Sequence, residues 1–357
     1  MALIASHVPP LLPLAVDLET KRVLKKLATA HRALAELKGA AGLVPNEAIL
    51  INTLSLQEAK DSSAIENIIT THDDLYRSDD AADRFASVTA KEVYAYARAM
   101  RDGFQTVRRT GLITINDILA MQATLERNQA GFRRLPGTAL KNDKTGEVVF
   151  TPPQSYDEIA PLMANLERFI NGEDTLDLDP LVRMAVIHHQ FETIHPFYDG
   201  NGRTGRILKE DLLGTPVLYL SRYINQRKAD YYRLLQAVRT DGVWEEWLIY
   251  MLDAVEQMAG QTTRLVHRIW DLMLDHKVRL RRELPRIYSQ DLLNNMFSHP
   301  YSKIAFVERD LGVSRITATR YLDELTRIGL MRKHKIGRES YYMNRALLDL
   351  LGNVQTV

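Results

Sequence analysis

Apolar side chains recur three and four residues apart along most of this chain, the spacing of helices that bury one face. Val23, Leu24, Leu27, Ala30, Leu34 and Leu37 form one such stripe and predict an amphipathic helix over 17–38, closed by Gly39. Pro45 opens a second run over 49–59, expected to stop near Asp61-Ser62-Ser63. Further helices are predicted over 73–110, with Val93, Tyr96, Ala97 and Met100 on one face, and over 115–125, capped by Thr114. Another follows over 156–171, and then one from Pro180 to about Ile194 with Asp179 as N-cap. The last of the central helices covers 203–213, ended by Gly214 with Pro216 beyond, and a longer helical stretch covers 244–283 with a break at Gly260. One segment departs from the helical period. Thr138 to Lys141, the turn residues 142–146 and the β-prone Val148 to Thr151 predict a hairpin, which lacks partner strands to make a larger sheet. The expected fold is therefore mainly α.

Between two of these helices lies a stretch that cannot be helix or central strand. Residues 195–206 read His-Pro-Phe-Tyr-Asp-Gly-Asn-Gly-Arg-Thr-Gly-Arg. Asp199-Gly200-Asn201-Gly202 favours positive φ and successive N–H groups facing one concavity. The turn sits at the start of the 203–213 helix, whose positive end suits an anion, and Arg203 and Arg206 share one face beside it. Asp199 is a hard oxygen ligand suited to Mg²⁺, and His195 is able to take a proton near neutral pH. Together they suggest phosphoryl-group transfer from a nucleotide to an alcohol. Each residue alone has a plainer reading as loop, core histidine or solvated helix face, and His188, His189 and His195 match no zinc spacing.

Composition changes this picture little. The 357 residues suggest two or three domains, net charge +1 with 25% charged residues shows no global bias toward nucleic acid or membrane, and the absence of cysteine excludes disulfides and thiolate chemistry. The first 16 residues lack Lys, Arg, Asp and Glu, but they have no basic start and are broken by Pro9, Pro10 and Pro13, so they do not read as a targeting segment. A cytoplasmic location is expected.

The central stretch resembles the signature of the Fic family of AMP-transferases, His-x-Phe-x-Asp/Glu-Gly-Asn-Gly-Arg-x-x-Arg, at every fixed position. His188-x-x-Phe191-Glu192-x-Ile194 is similar to the family as well. The resemblance implies ATP as substrate and Mg²⁺ on Asp199, with His195 as base. It further implies Gly200, Asn201, Gly202 and Arg203 around the anion and Arg206 on the γ-phosphate. Ser62, Glu66 and Asn67 match the family's inhibitory helix motif, Ser/Thr-x-x-x-Glu-Gly/Asn, in which the glutamate pairs with the second arginine, here Arg206. Ser63 and Glu66 also fit a capping box at a helix start, so two readings stand. The hairpin at 138–151 corresponds to the family's flap, whose strand edge would pair with a target protein. Tyr231 and Tyr232 fall where the family has a tyrosine pair beside adenine, whereas Arg239 departs from the Asn of some relatives. The implied reaction is AMP transfer to a protein Ser, Thr or Tyr hydroxyl. The alternatives are hydrolytic removal of AMP, with Glu66 positioning water, and a nucleotide-sensing regulator that binds DNA.

After Pro285 the pattern resembles a winged helix. Residues 303–310, the turn 311–313 and a helix capped by Ser314, with Ile316, Leu322, Leu325 and Ile328 as its stripe, precede two strands within 331–343 around Ile336-Gly337-Arg338. Residues 276–345 hold 15 Lys plus Arg against 7 Asp plus Glu, in keeping with DNA, although Asp323 and Glu324 on the second helix would repel phosphates. A protein partner or a homodimer fits the same unit. The expected organisation is an N-terminal helical region over 1–110, a Fic core over 111–258, a helical connector over 259–284 and the winged helix over 285–357.

Overall fold

In the computed structural model the described residues are 6–352, except 45, 79–83, 143–144, 174–176, 214–217 and 337–338. The expected ends at Gly214 and Pro216, the Asp143-Lys144 turn and the Gly337-Arg338 tip lie outside them. The described chain is mainly helical. Its elements run α1 (Lys21–Ala41), α2 (Glu47–Ile65), α3 (His72–Arg77), α4 (Val88–Thr110), α5 (Ile115–Glu126), β1 (Leu140–Lys141), β2 (Val148–Phe150), α6 (Tyr156–Ile170), α7 (Pro180–Ile194) and α8 (Asn201–Leu213). Then come α9 (Ser221–Gln226), α10 (Lys228–Asp241), α11 (Trp244–Glu283), α12 (Gln290–Ser298), β3 (Tyr301–Ser302), α13 (Ile304–Leu311), α14 (Arg315–Arg327), β4 (Arg332–Ile336), β5 (Glu339–Met343) and α15 (Arg345–Gly352).

Two compact units result, each gathered from separate stretches of chain. The first holds residues 1–33, 58–68 and 92–258. Its centre is α7, buried from Leu181 to Ile194 except at Arg183, which is why its apolar residues are not confined to one stripe. Trp247 is fully buried and donates to Ala185 O at 3.0 Å, fixing α11 to α7. β1 and β2 pair antiparallel, with Leu140 opposite Phe150, and form the two-stranded sheet expected from the sequence.

The second unit holds residues 34–57, 69–91 and 259–357. Its three-stranded antiparallel sheet has the order β3-β5-β4, and α12, α13 and α14 accompany it. Ser314 caps α14 by accepting from Thr317 N–H at 3.4 Å. Several boundaries differ from the sequence reading. α2 runs on through Ser62 and Ser63 to Ile65, the 73–110 stretch is divided into α3 and α4, and α11 passes Gly260 without a break. No helix among the described residues is long and apolar enough to cross a membrane.

Candidate active site

α7 is aimed by its two ends. Asp179 accepts from Leu181 N–H at 2.9 Å with Pro180 at the first turn, and at the other end the His195 N–H donates to Phe191 O at 2.9 Å. His195 takes the left-handed conformation, φ 50 and ψ 59, which stops the helix and leaves the ring lining a cavity of about 540 Å³. Burial pulls the His195 pKa from 6.5 down to about 3, Arg239 and Arg133 add to the fall, and Glu66 and a hydrogen bond with the Glu192 backbone oppose it. The ring is therefore neutral at physiological pH but a weak base in this resting state, and negative charge brought beside it by a bound phosphate would raise its pKa.

The loop that follows is held by its own residues. Asn201 accepts from Phe197 N–H and donates to Phe197 O, both at 2.8 Å, which closes 197–201 into a rigid turn. Gly200 has φ +80, a conformation open to glycine, and its N–H donates to Asp199 Oδ1 at 2.8 Å. Asp199, Gly200, Asn201, Gly202 and Arg203 all line the cavity with His195, so the cradle residues meet there. α8 starts at Asn201, two residues earlier than the sequence suggested, so its N-terminus opens beside this turn.

Arg206 is 1% exposed. Its Nε donates to Ser62 Oγ at 2.7 Å, and its Nη2 donates to Ser62 O at 3.2 Å and Glu66 Oε1 at 2.8 Å. Burial alone would raise the Glu66 carboxyl, but Arg206, aided by Arg203 and Lys228, outweighs it and holds the pKa below the usual value. The capping-box reading of Ser63 and Glu66 does not survive. α2 ends here rather than begins: Ile68 N–H donates to Ser63 O at 3.0 Å and Asn67 N–H to Ala64 O at 3.1 Å, the pair of bonds that closes a helix C-terminus. Asn67, with φ 62, supplies the left-handed residue this closure requires. Lys228 Nζ donates to Ile65 O at 2.5 Å and fixes the same end.

Tyr231 and Tyr232 do not line the cavity. Tyr231 is 1% exposed with its hydroxyl 2.8 Å from His188 Nε2, whereas Tyr232 is 46% exposed and lies edge-on to Tyr231 at 5.2 Å. Arg239 is engaged elsewhere, donating to Thr193 Oγ1 at 3.1 Å and Glu192 O at 3.0 Å over the Phe150 ring. His188 and His189 are core residues. Among the described residues no three His, Cys, Asp or Glu side chains assemble into a metal set; Asp199 lines the cavity with Glu66, Glu92 and Glu126, of which Glu66 and Glu126 are engaged by Arg206 and Arg203. One carboxylate fits Mg²⁺ that takes its other ligands from phosphates and water.

Three residues of this site had no signal in the sequence. Arg133, fully buried, donates through Nε to His195 O at 2.8 Å and through Nη2 to Pro153 O, while its own N–H donates to Pro196 O at 2.9 Å. Tyr198 accepts at its hydroxyl from the N–H groups of Arg134 and Leu135, at 2.9 and 3.0 Å. Glu126 receives Arg203 Nη2 at 2.6 Å. Glu126 and Arg133 lie on the chain leading to the hairpin and Tyr198 at a variable position of the 195–206 motif, where nothing in the sequence set them apart.

Three family models match the chain: Fic/DOC family N-terminal over 24–105, Fic/DOC family over 111–213, and protein adenylyltransferase SoFic-like, C-terminal domain, over 272–347. Protein adenylyltransferase Fic of Drosophila ananassae is 30% identical over 164 residues, 44% of this chain and 31% of that protein. The chain thus matches under a third of that relative's length. A Fic family protein from Desulfovibrio desulfuricans has the same fold, with TM-score 0.56 at 19% identity over 93% of this chain and 97% of that one. Residues 134–508 of Fic-1 from C. elegans give TM-score 0.53 at 20% identity, covering 68% of this chain and 71% of that one.

Proposed function

The chain belongs to the Fic/DOC family, and from that premise we propose that it is a protein adenylyltransferase whose resting state is restrained by Glu66. It transfers AMP from ATP to a Ser, Thr or Tyr hydroxyl of a target protein. The hydroxyl oxygen attacks the α-phosphorus, the bond to the pyrophosphate breaks, and the hydroxyl proton goes to the neutral imidazole of His195. Gly202 and Arg203 at the start of α8 bind the phosphates, and Arg206 takes the γ-phosphate once Glu66 leaves it. Asp199 would hold Mg²⁺, which neutralises phosphate charge. The half-exposed Tyr232, backed by Tyr231, offers a ring face to the base, and the β1–β2 edge offers backbone groups to the target chain.

The observation that carries this reading is Arg206, a nearly fully buried cation whose charge is met by Glu66. A carboxylate in that position stands where a phosphate oxygen would, so the brake and the substrate compete for one guanidinium. The test uses ATP labelled on the α-phosphate, with the wild type, Glu66→Gly and Glu66→Gly/His195→Ala. Label on the protein or on added lysate is expected to rise with Glu66→Gly and to vanish in the double variant. Label in no form, with loss of AMP from an AMP-modified protein instead, would replace transfer by removal.

We read the C-terminal elements as a winged helix. Asp323 is paired with Lys333 at 2.9 Å and Glu324 with Arg327 at 2.8 Å, which offsets the two acidic charges on α14. Arg315 and Arg320 remain exposed on that helix, and binding to duplex DNA that falls steeply with salt would support the regulator as a second role.

A further inference from the structure

Arg206 is one of two arginines in the cradle, and the other is also held by a carboxylate. Arg203 Nη2 donates to Glu126 Oε1 at 2.6 Å, with side chains only 7% and 12% exposed. Glu126 is the last residue of α5, so the contact joins the end of one helix to the start of another. The same Oε1 lies against Gly200: a Cβ added there would overlap it and meet Glu126 Cγ at 3.0 Å. The carboxylate therefore lies across the backbone of the turn that forms the anion cradle, where a phosphate oxygen would find both the guanidinium and the α8 N-terminus.

Two further features mark this pairing as a substitute rather than a settled ion pair. Arg203 Nη1 is buried with no hydrogen-bond partner among the described residues, so the guanidinium has a donor left for a ligand with more oxygens than a carboxylate offers. Glu126 itself sits close to other negative charge. Burial raises its pKa, Asp199 and Glu92 raise it further, and Arg203 offsets them only in part. Glu126 is under electrostatic pressure that a phosphate arriving beside it would increase.

We propose that Glu126 is a second lock on the cradle: it takes the place of a phosphate on Arg203 and over Gly200, and a polyphosphate binds there only by displacing it. The inference rests on the nucleotide reading of this site. Glu66 and Glu126 then act on different arginines through different helices, so removing one leaves the other in force.

The experiment is calorimetric titration of the full chain with Mg²⁺-ATP and with inorganic pyrophosphate. The forms are wild type, Glu66→Gly, and each of these carrying Glu126→Gln or Glu126→Ala, with urea unfolding of every form alongside. Loss of one charge-assisted contact to Arg203 is expected to tighten both ligands roughly tenfold in either background. Affinity unchanged by both Glu126 substitutions, or weakened by them, overturns the lock and makes Glu126 a support that positions Arg203. The two readings fail separately. Tighter binding with no label transferred in any form keeps the lock and removes the transferase, whereas transfer with binding indifferent to Glu126 does the reverse.

Discussion

Arg133 is a full positive charge inside the protein with no carboxylate on its hydrogen bonds; its partners are the carbonyls of Pro153, Ile194 and His195. The last two belong to the C-terminal end of α7, whose partial negative charge compensates a cation. Arg133 thereby fixes the residue that carries the proposed base and ties it to both flanks of the hairpin. In a Glu66→Gly background, Arg133→Met is expected to lower kcat about 10- to 100-fold with little change in KM for ATP, because the ring loses its position and not its substrate. Arg133→Lys should restore part of the rate. Equal losses in kcat and in folded fraction would reduce Arg133 to a packing role. His189 gives a prediction of different sign. It is 4% exposed, and burial first, then Arg239, lower its pKa to about 3. A histidine kept neutral by folding contributes stability that is complete above the unfolded pKa of 6.5 and is lost as pH falls toward 3. Urea unfolding at pH 7.5 and 5.5 should show a drop about 1 kcal/mol smaller in His189→Phe than in the wild type. Of these residues the sequence disclosed His195 through its motif. Arg133 carried no such mark, because its value comes from carbonyls about 20 and 60 positions away.

At the scale of elements, the sequence located the helices of the motif region and most of the long ones, missed α9, α10, α12 and α15, and misjudged how α2 ends. Asp61-Ser62-Ser63 looked like a stop followed by a new cap. The helix continues because Ser62 is engaged with Arg206 of α8, and a serine so employed does not compete with its own backbone. The end falls instead at Ile65, and Asn67 at φ 62 completes it. This closure determines where the Glu66 carboxylate points. Asn67→Gly should keep the resting state, since glycine takes the left-handed conformation without cost. Asn67→Val, which resists that conformation, should raise labelling toward the level of Glu66→Gly. If Asn67→Val stays as silent as the wild type, the helix end does not aim the brake. α7 and α8 make a comparable contact. A Cβ at Gly205 would stand 2.7 Å from Glu192 Oε1 and 2.9 Å from Phe191 Cδ1, so the two helices that carry the motif approach too closely for any side chain there. Gly205→Ala is expected to cost about 1–3 kcal/mol in urea unfolding, the usual penalty for overfilling a packed contact. That glycine lies at a variable position of the signature, where the motif offers no reason to single it out.

For the whole molecule, periodicity shows which face of a helix is buried but not which distant segment buries it. A linear reading keeps residues 1–110 together and begins a separate unit at 285, yet 34–57 and 69–91 pack within the same unit as 259–357. Among the contacts that join them are polar and aromatic pairs with no sequence period. Tyr301 donates to Asp73 and stacks on Tyr76 at 6.0 Å, Tyr341 donates to Arg77 O at 3.4 Å, and Gln57 Nε2 donates to Leu351 O at 3.0 Å. Tyr301 and Leu351 are 8% and 1% exposed in the intact chain. A fragment of residues 285–357 would lose these partners along with the preceding part of α11, leaving the Tyr301 and Tyr341 hydroxyls without them and apolar surface uncovered. With few residues left to form a core, the fragment has little to set against the entropy of ordering it. It is expected to show weak helicity without a cooperative urea transition, measured by circular dichroism, while the full chain unfolds sharply. A sharp transition in the fragment alone would mean that 34–57 and 69–91 lean on a unit already complete, and that the linear division describes how this protein folds.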